Sequence, residues 1–236
     1  MKYSIVIPTL NERENIIPLL QKIETCGLDD FEIIVVDENS PDGTCQAVID
    51  YATTQPNIKG LLNDGSKGLS PSIVKGFNAA SGEFMCCMDG DLQHDVKDLP
   101  KVLNKLETYD FVVGSRYVSG GGFAEKWSFS RVLISRTATL MAKIILDVNV
   151  KDPMSGFFAI RKSAFNKVRG DLNPQGFKIM LELLFLVTHS VEDFHITECG
   201  ITFGKRIHGK SKLSFKVIFQ FLKMLLKLRK SLNNLS

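Results

Sequence analysis

Asp89 and Asp91, separated by one glycine and followed by Gln93 and His94, stand directly after the apolar run Phe84-Met85-Cys86-Cys87-Met88. Two carboxylates leaving a buried strand are costly unless solvated, hydrogen-bonded or bound to a cation. Mg²⁺ or Mn²⁺ suits them, because these ions take oxygen ligands and are commonly held by one or two carboxylates plus substrate phosphate oxygens. Gly90 permits a tight turn and close backbone approach. The bland alternative is a strand-ending turn capped by aspartates, and a DxD triplet alone does not separate the two readings. His94 could line such a site, although a lone histidine is more often structural.

A second polar cluster, Asp37-Glu38-Asn39-Ser40-Pro41-Asp42-Gly43-Thr44, follows the apolar run Phe31–Val36. Asp37, at a strand end, is placed to accept hydrogen bonds from a nucleobase or its ribose. Residues 41–44 read as a turn and a helix start. A third cluster, Pro8-Thr9-Leu10-Asn11-Glu12, closes the first apolar run, Tyr3–Pro8.

These clusters need a scaffold that brings them together. Tyr3–Pro8, Phe31–Val36, Ile58–Leu62, Phe84–Met88 and Phe111–Val113 read as buried strands. The segments between them have helical length and spacing, as in Ile16, Ile17, Leu19, Leu20 and Ile23. Strands alternating with helices predict an α/β fold with a mostly parallel sheet flanked by helices. Ligands on such a sheet bind beyond the carboxyl ends of the strands, where all three polar clusters fall. No GxGxxG follows the first strand and no GxxxxGK[ST] occurs, which argues against dinucleotide and P-loop sites. Gly120-Gly121-Gly122 reads as a mobile loop. Further on, Phe129–Leu146 and Gly176–His189 read as helices, Asp152–Phe157 as a turn-rich loop and His195–Phe203 as a strand.

The 236 residues, 44% hydrophobic and 23% charged, fit one domain with a C-terminal extension. Five cysteines without a CxxC pair point to a reduced compartment, and the N-terminus lacks signal-peptide architecture; a cytoplasmic location is expected. The net charge of +3 is unevenly spread: all 26 acids precede residue 200, whereas nine of the 29 basic residues follow it. Such a tail meets an anionic surface. Its apolar content favours a membrane surface over nucleic acid.

Taken together, Ile5–Glu12, the DENSPDGT stretch, Lys67-Gly68-Leu69-Ser70-Pro71 and Met88–His94 resemble the inverting GT-A glycosyltransferases of family 2. Within that family the chain is most similar to the dolichyl-phosphate (polyprenyl-phosphate) mannosyltransferases. The likeness continues through Gly114–Tyr117, Arg131–Arg136, Asp152–Phe157 and Arg206–Leu213, covering residues 3 to about 215 in order. It is carried by the order and spacing of the motifs rather than by any one of them.

The resemblance implies a Rossmann-like GT-A domain over residues 1–213 and transfer of mannose from GDP-mannose to dolichyl or polyprenyl phosphate with inversion. It implies that Pro8, Leu10, Glu12, Asp37, Asp89, Gly90 and Lys212 bind the nucleotide sugar. Asp89, Asp91 and Gln93 would hold Mg²⁺ or Mn²⁺. Arg116, Arg131 and Ser135 would bind the acceptor phosphate, and Asp91, Arg116, Arg131 and Arg206 would carry catalysis. Arginine suits phosphate through its planar fork of donors, and Arg131 and Ser135 share a helix face at i,i+4 spacing. Three positions depart from the pattern: Glu38 stands for a commoner Asp, Asp95 for a Pro that would stiffen the turn, and Met154 for a Thr, which removes a hydroxyl near the expected acceptor site. Two other readings stay open: a UDP-glucose or UDP-N-acetylhexosamine enzyme acting on polyprenyl phosphate, and a catalytically silent nucleotide-binding subunit of a membrane glycosylation complex. A membrane-embedded partner subunit is compatible with each.

The C-terminal segment, residues 214–236, predicts a basic amphipathic helix. Lys216, Gln220, Lys223, Lys227 and Lys230 fall on one stripe of an otherwise apolar surface. Its charge-free runs are far shorter than the roughly 20 residues a spanning helix needs. It is expected to lie in the membrane interface on the cytoplasmic face, or to pack on its own domain or a partner.

Overall fold

The computed structural model describes residues 1–65, 68–124, 129–175, 178–205 and 215–232; within these, residues 129–136, 215–220, 231 and 232 are described by backbone alone. In chain order the elements are β1 (Tyr3–Thr9), α1 (Arg13–Glu24), β2 (Phe31–Asp37), α2 (Thr44–Ala52), β3 (Ile58–Leu62), α3 (Leu69–Ala79), β4 (Phe84–Cys87), α4 (Leu99–Asn104) and β5 (Phe111–Ser115). The second half adds β6 (Gly122–Phe123), α5 (Phe129–Leu146), β7 (Phe158–Arg161), α6 (Lys162–Val168), α7 (Ile179–Ser190), β8 (Ile196–Gly200), β9 (Thr202–Phe203) and α8 (Phe215–Leu232).

Seven strands form one sheet in the order β3-β2-β1-β4-β7-β5-β8. All neighbouring pairs are parallel except those made by β7, which runs antiparallel to both β4 and β5. Alternation along the strands divides the core by face. Ile5, Ile7, Ile33, Val35, Cys86 and Met88 point toward α1, α2 and α4. Val6, Ile34, Val36, Met85, Cys87 and Phe158 point toward α3, α5, α6, α7 and α8. Asp89 continues the phase of Met85 and Cys87, toward the side covered by α3 and α7.

The predicted strand from His195 to Phe203 is two strands. β8 joins the main sheet, and β9 leaves it to pair with β6. Of the glycine run, Gly120 and Gly121 form the loop expected of them, and Gly122 enters β6 of this second sheet. Gly122 donates its N–H to the Ile201 carbonyl, and a Cβ on Gly121 would lie 2.3 Å from the Ser115 oxygen. α7 is buried along nine consecutive residues from Ile179 to Val187, which makes it a core helix covered all round. α8 places Phe221, Leu225 and Leu228 in the core beside α5 and α7, while Leu226, Lys223, Lys227, Arg229 and Lys230 face outward. Among the described residues no helix is long and apolar enough to cross a membrane.

One buried carboxylate fastens the first three strands. Glu32 on β2 is 1% exposed and accepts hydrogen bonds from Ser4 Oγ on β1, Ser81 N and Oγ, and Lys59 Nζ on β3. Burial opposes its ionisation, but these donors outweigh that cost and bring its pKa down to about 2. A depressed carboxylate stabilises the fold above its unfolded value, and that stability is lost as pH falls through the folded value. The thermal midpoint is therefore expected to drop as pH is lowered from about 4.5 toward 2. Glu32→Gln should melt earlier at pH 7 and show a shallower acid decline, which a pH series of thermal melts will read.

Candidate functional site

The ends of β1 and β2 interlock. Thr9 and Asp37 are paired in register, Thr9 Oγ1 donates to Asp37 Oδ1 at 2.9 Å, and Ser40 adds its N–H and Oγ to the same carboxylate at 2.7 Å each. Asp37 is thus 1% exposed and spends three of about four acceptor positions on the protein. Pro8 sits opposite Val36 in the same register, and Leu10 follows at the half-buried turn. Glu12 donates its N–H to Thr44 Oγ1 and accepts from Asn15 Nδ2, so its carboxylate is oriented across the mouth of α1. Asn11 and Asn39 take the left-handed conformation here, which asparagine tolerates. Asp42 caps the start of α2 by accepting from Thr44 N, as the turn chemistry predicted.

β4 ends against this edge. A Cβ on Gly90 would lie 3.1 Å from Thr9 Cγ2, so the glycine allows the Asp-Gly-Asp turn to press on β1. Asp91 Oδ1 accepts from Gln93 N at 3.1 Å across Leu92, whose φ of +61° is unusual for a leucine. That turn is held from outside: Gln93 Nε2 donates to the Gly204 carbonyl, and Gly204 N donates back to the Gln93 carbonyl. The segment after β9 is thereby tied to the carboxylates.

His94 is buried between Phe157 and Phe203. Its Nδ1 accepts from Asp89 N at 3.3 Å, which leaves the proton on Nε2, 3.9 Å from Asp89 Oδ2. Burial pushes the imidazole pKa down, opposed by Asp89 and Asp91. His94 is a neutral prop beneath Asp89. On the other side, a Cβ on Gly156 would come within 2.5 Å of Asp89 Oδ2, so the glycine lets the 152–157 loop close over this carboxylate without displacing it. Among the described residues no three His, Cys, Asp or Glu side chains form a metal cage. Two carboxylates and an amide on one turn, one-third exposed at Asp89 and nearly closed at Asp91, form a sparse oxygen set of the kind that can take a divalent cation together with substrate oxygens and water.

Arg116, just past β5, is 8% exposed and forms a two-pronged pair with Asp152: Nε and Nη2 each donate at 2.7 Å, and its N–H adds a third bond at 3.0 Å. The guanidinium also lies over the rings of Tyr117, Phe123 and Phe203. Asp152 is in turn fixed by Glu198, which accepts from the N–H groups of Lys151 and Asp152.

Residues 4–169 match the model of glycosyl transferase family 2. The chain belongs to this family. The dolichol-phosphate mannosyltransferase of Saccharomyces cerevisiae is 38% identical over 95% of this chain and 86% of its own length. The protein of the same name from Mycosarcoma maydis is 36% identical, over 95% of this chain and 78% of its own. That of Pyrococcus furiosus is 41% identical over 98% of this chain, which spans 64% of that relative. Glucosyl-3-phosphoglycerate synthase from Mycobacterium tuberculosis, solved with Mn²⁺, UDP and phosphoglyceric acid, superposes with a TM-score of 0.74 at 20% identity, over 97% of this chain and 78% of its own. The shared architecture is the GT-A-like fold that the motifs led one to expect.

The family's strand-end motifs meet as expected: Pro8, Leu10, Glu12 and Asp37 lie beside Asp89, Gly90, Asp91 and Gln93 at one sheet edge. Arg116 is brought to the same region, yet its guanidinium is engaged by Asp152. Arg131 and Ser135 lie on the backbone of α5 with their side chains outside the described residues, and Arg206 and Lys212 lie outside them altogether. The three departures from the family pattern have physical consequences. Glu38 reaches Gly68 N at the start of α3, and Asp95 caps the next turn by accepting from Lys97 N, so that turn is held without proline. Met154 packs its side chain against the core on the α3 and α7 side of the sheet, while its carbonyl, which any residue would supply, accepts from Lys178. Sequence reasoning missed Asp152 as the partner of Arg116, Gly156 as the neighbour of Asp89, and Lys178. The available signal for Lys178 was a lone cation immediately before Ile179–Val187, a stretch apolar at every position but Glu182.

Proposed function

We propose that this protein transfers mannose from GDP-mannose to dolichyl or another polyprenyl phosphate, with inversion at the anomeric carbon. The observation that carries this reading is the Asp89-Gly90-Asp91 turn clasped between the nucleotide-side edge at Thr9 and Asp37 and the 152–157 loop. The names borne by relatives 36–41% identical supply the mannosyl and lipid-phosphate specificity. Asp89, Asp91 and Gln93 would hold Mg²⁺ or Mn²⁺, which when bound neutralises the diphosphate of the departing nucleotide. Pro8, Leu10, Glu12 and Asp37 seat the nucleoside end of the donor.

An acceptor phosphate oxygen attacks the anomeric carbon as the bond from that carbon to the GDP β-phosphate oxygen breaks, and GDP departs with the bonding electrons. A phosphate monoester has its second pKa at about 6, so it arrives as a nucleophile near neutral pH. No protein base is required. Arg131, Ser135, Arg206 and Lys212 are assigned to the phosphates by the family pattern, and Arg116 with Asp152 shapes the wall between them.

Residues 214–236 are assigned to the membrane surface, with the catalytic domain in residues 1–213. Support comes from the paired helices α5 and α8. Leu140 and Ile144, one turn apart on α5, are 58% and 70% exposed, and Leu226 on α8 is 67% exposed beside the outward Lys223, Lys227, Arg229 and Lys230. Apolar side chains rimmed by cations suit an anionic lipid surface, here the cytoplasmic face.

Two measurements test the reading. GDP-mannose with Mn²⁺ should raise the thermal midpoint more than UDP-glucose or UDP-N-acetylglucosamine does, and the reverse order would move the donor to a UDP-sugar. Label from GDP-[³H]mannose should pass into organic-extractable polyprenyl phosphate. Label confined to the aqueous phase would reject the lipid acceptor.

A further inference from the structure

The start of α1 is fastened to the loop that follows β2. Three consecutive amides, those of Asn11, Glu12 and Arg13, donate to Ser40 Oγ, Thr44 Oγ1 and Asp42 Oδ2. The backbone that carries Glu12 is therefore fixed by side chains of another segment. The Glu12 side chain takes no part in this. It stands at the N-cap of α1, where a side-chain oxygen ordinarily accepts from the first turn, and it makes no such bond. Asn15, one turn on, reaches back instead and donates Nδ2 to Glu12 Oε2 at 2.6 Å. In a capping box the third helical residue serves the backbone of the cap. Here it serves the carboxylate of the cap.

Asn15 holds this place against the stability of the fold. It is the one polar residue among the five that α1 buries, the others being Ile16, Leu19, Leu20 and Ile23. It is 2% exposed, and among the described residues its Oδ1 has no hydrogen-bond partner. A buried carbonyl without a donor is destabilising, and asparagine is a poorer helix former than leucine. Leucine, with the same branched skeleton, would remove both penalties. It could not supply the N–H that Glu12 receives. Turning the amide over gives no relief, because its oxygen would then face the carboxylate. A buried amide kept with one half unsatisfied points to a role for the other half.

We infer that Asn15 is a positioning residue for nucleotide binding, its Nδ2 aiming the Glu12 carboxylate at the donor. The inference rests on the nucleotide role proposed above for Glu12 and adds the residue that sets its direction. A carboxylate already held in one rotamer loses no side-chain freedom when a ribose hydroxyl or a similar donor group arrives, and affinity gains by that amount. Loss of the aimed, charged hydrogen bond corresponds to about tenfold in affinity.

The test is calorimetric titration of the full chain with GDP in the presence of Mn²⁺, run as a double-mutant cycle. Asn15→Leu should weaken GDP binding about tenfold and leave the thermal midpoint equal or higher. Glu12→Ala should weaken it at least as much. Adding Asn15→Leu to Glu12→Ala should change the affinity by less than about twofold, because the carboxylate through which Asn15 acts is gone. Asn15→Asp keeps the size of the side chain, removes the donor and should also weaken GDP binding, which covers a leucine variant that fails to fold. With GDP-mannose as donor, the loss should fall on KM rather than on kcat. GDP affinity unchanged in Asn15→Leu and Asn15→Asp, while Glu12→Ala loses it, overturns the inference. So does a loss of equal size in both backgrounds, which would have Asn15 act elsewhere than on Glu12. A lowered midpoint with GDP binding intact would make Asn15 a brace for α1 and overturn it as well. Unchanged GDP binding in Glu12→Ala would take Glu12 out of the nucleotide site, and the inference with it. Failure of label to enter lipid, with the cycle as expected, would count against lipid transfer alone.

Discussion

Asp91→Asn is expected to reduce sugar transfer by about two to three orders of magnitude, the scale seen when one preorganised charge-stabilising group is removed. The variant should nonetheless fold. Asn keeps an oxygen that can accept from Gln93 N, so the turn through the left-handed Leu92 has no reason to open. What disappears is one of the two negative charges in the oxygen set, and with it attraction for a divalent cation. The loss should therefore appear both in kcat and as a smaller thermal shift on adding GDP with Mn²⁺. Steady-state kinetics across a Mn²⁺ series, beside melts of the apo protein, separate chemistry from folding. An Asp91→Asn enzyme with full metal-dependent turnover would remove Asp91 from the metal site.

Asp152→Ala should have the largest effect on stability. The change leaves the Arg116 guanidinium nearly buried without the carboxylate that takes two hydrogen bonds from it and a third from the Arg116 backbone N–H. Breaking one side of a buried pair costs about 3–5 kcal/mol. For a chain of this size that corresponds to a fall of roughly 6–20 °C in thermal midpoint. Removing Glu198 should cost less, because it only orients the Lys151 and Asp152 amides. The double change Arg116→Met with Asp152→Leu should recover much of the lost stability, since no charge is then stranded. It should recover no activity if the pair shapes the site wall. Differential scanning calorimetry of the three variants, with activity measured below each midpoint, checks both statements.

These predictions differ in how far they could be read from residue order. The Asp91 prediction was nearly complete in the sequence. Apolar runs marked β1, β2 and β4, turn-forming residues marked their ends, and ligand sites in α/β sheets lie at those ends. The motif pattern supplied the roles. Local periodicity carries this information because burial on one or both faces of a strand leaves a direct trace in side-chain polarity.

The Asp152 prediction needed the fold. Asp152 and Arg116 are 36 residues apart and meet only because β7 enters antiparallel between β4 and β5. Four residues, Phe158 to Arg161, carry no periodicity long enough to announce that strand or its direction. Gly156 was legible as a loop residue, but its contact with Asp89 depends on where that loop returns. Lys178 looked like the polar edge of an apolar helix until α3 and α7 were placed on the same side of the sheet.

Sequence alone determined the α/β class, the strand ends that bear the chemistry and the oxygen character of the Asp89, Asp91 and Gln93 set. Tertiary structure decided which charges face one another: Arg116 with Asp152, His94 beneath Asp89, and Lys178 across a cleft from it. The reason is physical. Strand and helix propensity are written in neighbouring residues, whereas the partner of a buried charge is set by distant segments that share no local code.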